Sequence, residues 1–212
     1  MTRGTTARAE AGEGAPAPDV LALPHPDWLY HHLRVTGAPA EVAAFRAAAA
    51  GAGVIPWQHD LGPTAEDWFH RLAVPPAPQR RSLSLEGARI LAGQLRDAAE
   101  ARQRRVAERA AASRACPLDL HRLLPVPDRL LKLGPEQPET LAWLWAHWGT
   151  TQALRGVVKL PVPGPGQPRR PDPALVWLGF WSADWTPWRA IQQLRARWPA
   201  LRLEVRPLYD DP

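Results

Sequence analysis

Two stretches far apart in the chain share a period-two alternation. In residues 28–35, Leu29, His31, Leu33 and Val35 fall on one side of an extended chain, and Trp28, Tyr30, His32 and Arg34 on the other. In residues 175–181, Val176, Leu178 and Phe180 alternate with Trp177, Gly179 and Trp181. Successive side chains of a strand point to opposite faces, so each stretch predicts a strand with one apolar face and one face of large rings. Placed side by side, the two fix a sheet with an aromatic second face, and the rest of the chain has to fold around it.

Proline sets the next limit. With 25 prolines in 212 residues, many positions lack a backbone donor, which excludes a long helical bundle or a stack of central strands. After the first strand, Thr36 and Gly37 turn the chain, and Pro39, Val42, Phe45 and Ala49 give a helix that Gly51 and Gly53 stop. Residues 54–134 then read as a helical insertion. A short amphipathic piece (Trp57, Trp68, Phe69, Leu72) is cut by Pro75, Pro76 and Pro78. A long helix is predicted from near Ser84 to Ser113, its first half striped by Ala88, Leu91, Leu95, Ala98 and Ala99. Arg102 and Arg109 fall on the same stripe in the second half, which is therefore expected in solvent, supported by a Glu100–Arg104 pair.

A helix then opens at Pro138 and Glu139 and closes at Gly149. Leu154 to Leu160 reads as a strand with Leu154, Val158 and Leu160 on one face and Arg155, Val157 and Lys159 on the other. The six prolines of residues 161–173 form a stiff connection. Within it Pro168 to Pro171 has a PxxP spacing, although a hairpin loop accounts for it better. Pro187, Ile191, Leu194 and Trp198 mark a last helix, and Leu201, Leu203 and Val205 a last strand. With the insertion set aside, the order is the split β-α-β repeat of an α+β, ferredoxin-like sandwich, a four-stranded antiparallel sheet with two helices on one face. Residues 1–25 read as a disordered tail and residues 26–212 as one domain interrupted by the insertion.

Several phrases together resemble the YubB-type ferredoxin-like domain family. They are Leu33, Val35, Thr36 and Gly37 before the Val42 and Phe45 helix; Leu123 to Pro127; Trp148-Gly149-Thr150; and Phe180 to Pro187 running into Trp198-Pro199 and Tyr209. The resemblance implies a ferredoxin-like fold and a setting among bacterial, plasmid and phage proteins. It implies no activity. The chain departs from the family in having His147 and Thr151 around the Trp-Gly-Thr block and an extra residue, Asp184, before Trp185.

Composition narrows function by exclusion. No run of about 20 apolar residues offers a membrane span. The one cysteine, Cys116, excludes an internal disulfide and a cysteine-held cluster, so a reducing, cytoplasmic setting without metal or cofactor is expected. Residues 80–114 hold nine arginines against four acids and so carry the whole formal excess of five charges. An anionic partner fits such a segment, while arginine-biased codon usage explains it equally.

Four candidate sites follow. The ring-bearing sheet face displays Trp28, Tyr30, His32 and Arg34 beside Trp177 and Trp181, with Arg155, Lys159, Arg202 and Arg206 on its flanks. Flat rings among cations suit single-stranded nucleic acid, since bases stack and guanidinium groups hold phosphates. Against this, the insertion has to pack somewhere, and the aromatic face is the obvious place. Arg102, Arg105 and Arg109 share one side of the long helix and suit an acidic protein surface. His147, Trp148 and Thr150 are placed to line a pocket, though a tryptophan-packed helix end accounts for the same residues. Cys116, Asp119 and His121 carry thiol-catalysis residue types, but crowded into one loop, where a nucleophile and its base seldom meet. A non-enzymatic interaction module is therefore the expectation, with oligomeric state left open.

Overall fold

The structure is a computed structural model and describes residues 26–74, 83–161 and 173–209. The predicted tail, the three prolines after Val74, the PxxP segment and the first three residues of the arginine-rich stretch lie outside the described residues. In chain order the elements are β1 (Trp28–Thr36), α1 (Pro39–Ala49), α2 (Gly62–Ala73), α3 (Leu85–Ala112), α4 (Leu120–Leu123), α5 (Asp128–Leu133), α6 (Pro138–His147), β2 (Arg155–Lys159), β3 (Leu175–Ala183), α7 (Trp188–Arg197) and β4 (Arg202–Leu208). The strands form one antiparallel sheet in the order β2-β3-β1-β4. That is the order of a ferredoxin-like sandwich, with α2 to α6 added between α1 and β2. Among the described residues no helix is long and apolar enough to cross a membrane.

The two alternating stretches are the central strands. β1 and β3 pair along their whole length, with Leu33 opposite Leu178, Val35 opposite Val176 and His31 opposite Phe180. These side chains are buried against Val42 and Phe45 of α1 and Ile191 and Leu194 of α7, and together they form the core. Leu203 of β4 joins them. The Trp198 ring, at the end of α7, meets Phe45 edge-on at 5.6 Å and closes one side of this layer.

The described part of the insertion packs on the helical side of the sheet and not on the aromatic face. Leu118, Leu120, Leu123, Leu124, Val126, Leu130 and Leu131 are buried in the same core as the helix-facing residues of the sheet. The described insertion thus thickens the helical layer, because these leucines complete a face that two helices alone leave partly open. Its stem is pinned at both ends. Gly51 and Cys116 exchange backbone hydrogen bonds of 3.0 and 2.9 Å, and Asp119 N donates to Ala49 O at 2.9 Å. The Asp119 carboxylate accepts from Gly53 N at 2.9 Å and caps α4 by accepting from Arg122 N. The part that carries α2 and α3 therefore leaves and returns at one point of the fold, and loop-closure cost grows only slowly with its length.

Within the excursion, α2 and α3 pack on each other, with Ala88 and Ala92 the buried contacts of α3. Ser84 caps α3 by accepting from Gly87 N. The stripe read from sequence is rotated: Leu95 and Ala98 are exposed, and Ala92 takes the buried place. The second half is not wholly in solvent either, since Gln103 donates to His59 O at 3.3 Å and lies 3.2 Å from its Nδ1. Glu100 pairs with Arg96 at 3.6 Å in place of Arg104.

His31 is the polar member of the central pair. It has no exposed surface, stacks on Phe180 at 5.1 Å, and sets its Nε2 2.8 Å from the Thr186 hydroxyl. Burial pushes its pKa down from 6.5 to about 4. The unfolded chain thus binds the proton more readily than the folded one. The His31 contribution to stability is complete above pH 6.5 and is lost as pH falls toward about 4. Denaturant titrations across this window are expected to show stability falling with a slope of up to about 1.4 kcal/mol per pH unit, and His31→Asn to flatten it. An unchanged slope in the variant assigns the pH dependence elsewhere.

Candidate functional site

The outward face of the sheet is built by the same register that builds the core. Opposite residues share a face, so Tyr30 with Trp181, His32 with Gly179 and Arg34 with Trp177 all point away from the helices. The rings touch in sequence. Tyr30 tilts against Trp181 at 5.0 Å, meets His32 edge-on at 5.5 Å, and His32 meets Trp177 edge-on at 5.4 Å. Trp181, Tyr30, His32 and Trp177 thus form one continuous row, each ring half-buried by its neighbours.

Two glycines make room for it. A Cβ on Gly179 would lie 2.0 Å from the Tyr30 hydroxyl and 2.9 Å from its Cζ, so the phenol lies across the gap that glycine leaves in β3. Gly156, with φ of 56°, would bring a Cβ within 3.2 Å of Trp181 Cδ1. Gly156 also belongs to a β-bulge. Arg155 stands opposite Trp181 and Val158 opposite Gly179, so β2 spends one residue more than β3 over the same span.

That bulge corrects the sequence reading of β2. Beyond it the alternation changes phase: Val158 lies on the ring face and is exposed, and Val157 turns toward the core. Lys159 falls opposite Leu178, at the parity of the helix-facing residues, and does not flank the rings. The signal was the glycine after Arg155, the usual mark of an extra residue in a strand.

The other predicted flanking residues are on the face. Arg155 places its Cζ 3.9 Å from the Trp28 ring centroid, a cation-π contact at the β2 side. On β4, Arg206 stands opposite His32 and Arg202 opposite Thr36. Arg202 is tied to Glu204 at 2.6 Å, an acid on the same face that the sequence reading left out. Burial, and then the nearby Arg206 charge, hold His32 below its ordinary pKa, so this ring is neutral at pH 7 and free to stack. A cavity of about 590 Å³ opens at the Trp177 end of the row, lined by His32, Arg34, Trp177, Arg195, Glu204 and Arg206 together with Leu175 and Val205.

The remaining candidates are structural or apart. Trp148 is fully buried and donates its indole N–H to Leu124 O at 3.0 Å. Thr150 is fully buried and donates to Ala183 O at 2.9 Å. His147 stacks on Trp143 at 4.2 Å, and Gln193 donates to its carbonyl. These three residues hold the end of α6 against β3 and α7 in place of lining a pocket. Arg102, Arg105 and Arg109 are all exposed on α3, and Arg102 lines a second groove of about 1000 Å³ beside Trp57 and His59. Asp184, the extra residue, takes φ of 65° and accepts from Thr151 Oγ1 at 3.0 Å and from Asp27 N at 3.3 Å.

In the loop with Cys116 all three side chains have structural partners. Burial raises the thiol pKa, and its Sγ donates to Leu118 O at 3.2 Å. His121 Nδ1 accepts from Val126 N, and Asp119 is spent on the caps described above. Among the described residues no three His, Cys, Asp or Glu side chains gather as a metal ion requires.

No family model matches the sequence, and no curated protein matches it. One solved structure is similar, the protein api92 from Yersinia pseudotuberculosis of family model DUF1281. The identity is 11% over 86% of this chain and 90% of that one, with a TM-score of 0.45.

The row makes a sharp structural demand. Gly179→Ala is expected to cost about 1–3 kcal/mol by forcing Tyr30 off β3. Tyr30→Phe removes the nearest atom, so a double-mutant cycle by denaturant unfolding is expected to show coupling above about 0.5 kcal/mol. Additive effects would mean that the phenol does not occupy that gap.

Proposed function

We propose that this chain is a non-enzymatic module that binds single-stranded nucleic acid on the ring-bearing face of its sheet. The observation that carries the reading is the row Trp181–Tyr30–His32–Trp177, set on a rigid sheet with Arg155 at one side and Arg34 and Arg206 at the other. Every base has a flat π-face, so such a platform accepts a strand without reading its sequence, and the arginines hold the backbone by charge. The described part of the insertion packs on the helical side and leaves the platform open. The resemblance to YubB-type domains supports a bacterial, plasmid- or phage-borne setting, and the lone cysteine supports a reducing, cytoplasmic one.

Fluorescence anisotropy with mixed-sequence single-stranded DNA and RNA tests this. Binding is expected at low ionic strength and to weaken steeply with salt. Trp181→Ala and Trp177→Ala, with folding checked by circular dichroism, are each expected to weaken it about tenfold, the scale of one lost base–ring stack. Absence of binding at low salt, or full affinity in both variants, contradicts the reading.

A further inference from the structure

The cavity at the Trp177 end of the ring row differs from the rest of the platform. Arg34 comes from β1, Arg206 from β4 and Arg195 from α7, so three arginines from three elements line one space together with Trp177. The single acid in the lining, Glu204, has its charge matched by Arg202 outside the cavity. The three cations are therefore left in excess. Arg195 is held in place: its Nε and Nη2 donate to Leu203 O on the edge strand at 3.1 and 2.8 Å, while further donors of the same planar group stay available. This arrangement exceeds what an interior nucleotide needs, because a phosphodiester carries one charge, whereas a terminal phosphomonoester carries nearly two at neutral pH and offers three acceptor oxygens. The row of rings also stops here, at Trp177.

We propose that the cavity holds the terminal nucleotide of a single strand, its base on Trp177 and its phosphomonoester among Arg34, Arg195 and Arg206, so that the module grips strand ends bearing a phosphate. The assignment rests on the platform reading above and adds to it which part of a strand is taken and where the strand begins on the sheet.

Anisotropy titrations of one short oligonucleotide in three forms test it: with hydroxyl ends, with a 5′-phosphate and with a 3′-phosphate. One phosphorylated form is expected to bind about tenfold tighter than the hydroxyl form, the worth of a charge-assisted contact. A hydroxyl-ended oligonucleotide one nucleotide longer, which adds charge without a monoester, is expected to gain much less. Arg195→Gln and Arg206→Gln are each expected to remove the preference. Equal affinity for all three forms overturns the end site while leaving the platform standing. A preference that survives both variants also overturns it. Competition by a free nucleoside monophosphate at the concentration where the phosphorylated strand binds would reassign the cavity to a small nucleotide. Failure of every oligonucleotide to bind removes the platform and the end site together.

Discussion

The pairing of β1 with β3 is the constraint on which everything else rests. One register places His31, Leu33 and Val35 with Leu178 and Phe180 under the helices, and Tyr30, His32 and Arg34 with Trp177 and Trp181 on the opposite face. Because side chains alternate strictly, a slip of one residue would exchange the two sets and put indoles into the core and leucines into water. The core therefore selects the register, and the aromatic platform follows from it at no separate cost in fold. Gly179 shows how tightly the two are joined, since the absent side chain in β3 is what lets Tyr30 lie flat in the row.

The long excursion between α1 and β2 is compatible with this sheet because it is closed at its stem and spends its leucines on the helical side. The Gly51–Cys116 bridge and the Asp119 carboxylate close the part that carries α2 and α3 onto the end of α1, and residues from Leu118 to Leu131 extend the core that α1 and α7 begin. An insertion tethered in this way adds buried area without claiming the open face. Arg102, Arg105 and Arg109 stay exposed on α3.

The α+β class and the order of the strands were legible in the sequence, because β1 and β3 alternate cleanly over most of their length and prolines mark the helix starts at Pro39, Pro138 and Pro187. Most of the platform was legible for the same reason. What was lost has local causes. Periodicity carries no information across a bulge, so Val158 and Lys159 exchanged faces after Gly156. Glu204 and Arg195 were missed because a polar residue on an edge strand or an outer helix turn looks solvated until the fold brings it beside Trp177. For His147, Trp148 and Thr150 the sequence offered both a pocket and a tryptophan-packed helix end, because hydrogen bonds to the distant carbonyls of Leu124 and Ala183 leave no mark in it. The insertion's side of the sheet depended on which leucines complete the helical layer, a property of packing across the fold.

Hydroxyl-radical footprinting read by mass spectrometry, with the free protein and then with a saturating single-stranded oligonucleotide, bears most directly on the open platform. Tyr30, Trp177 and Trp181 are expected to oxidise well above the fully buried Trp148 in the free protein, and to be protected together when the oligonucleotide is added, while exposed Trp188 is unchanged. Rings as protected as Trp148 in the free protein, or protection that falls on α3 and spares the row, would contradict the account.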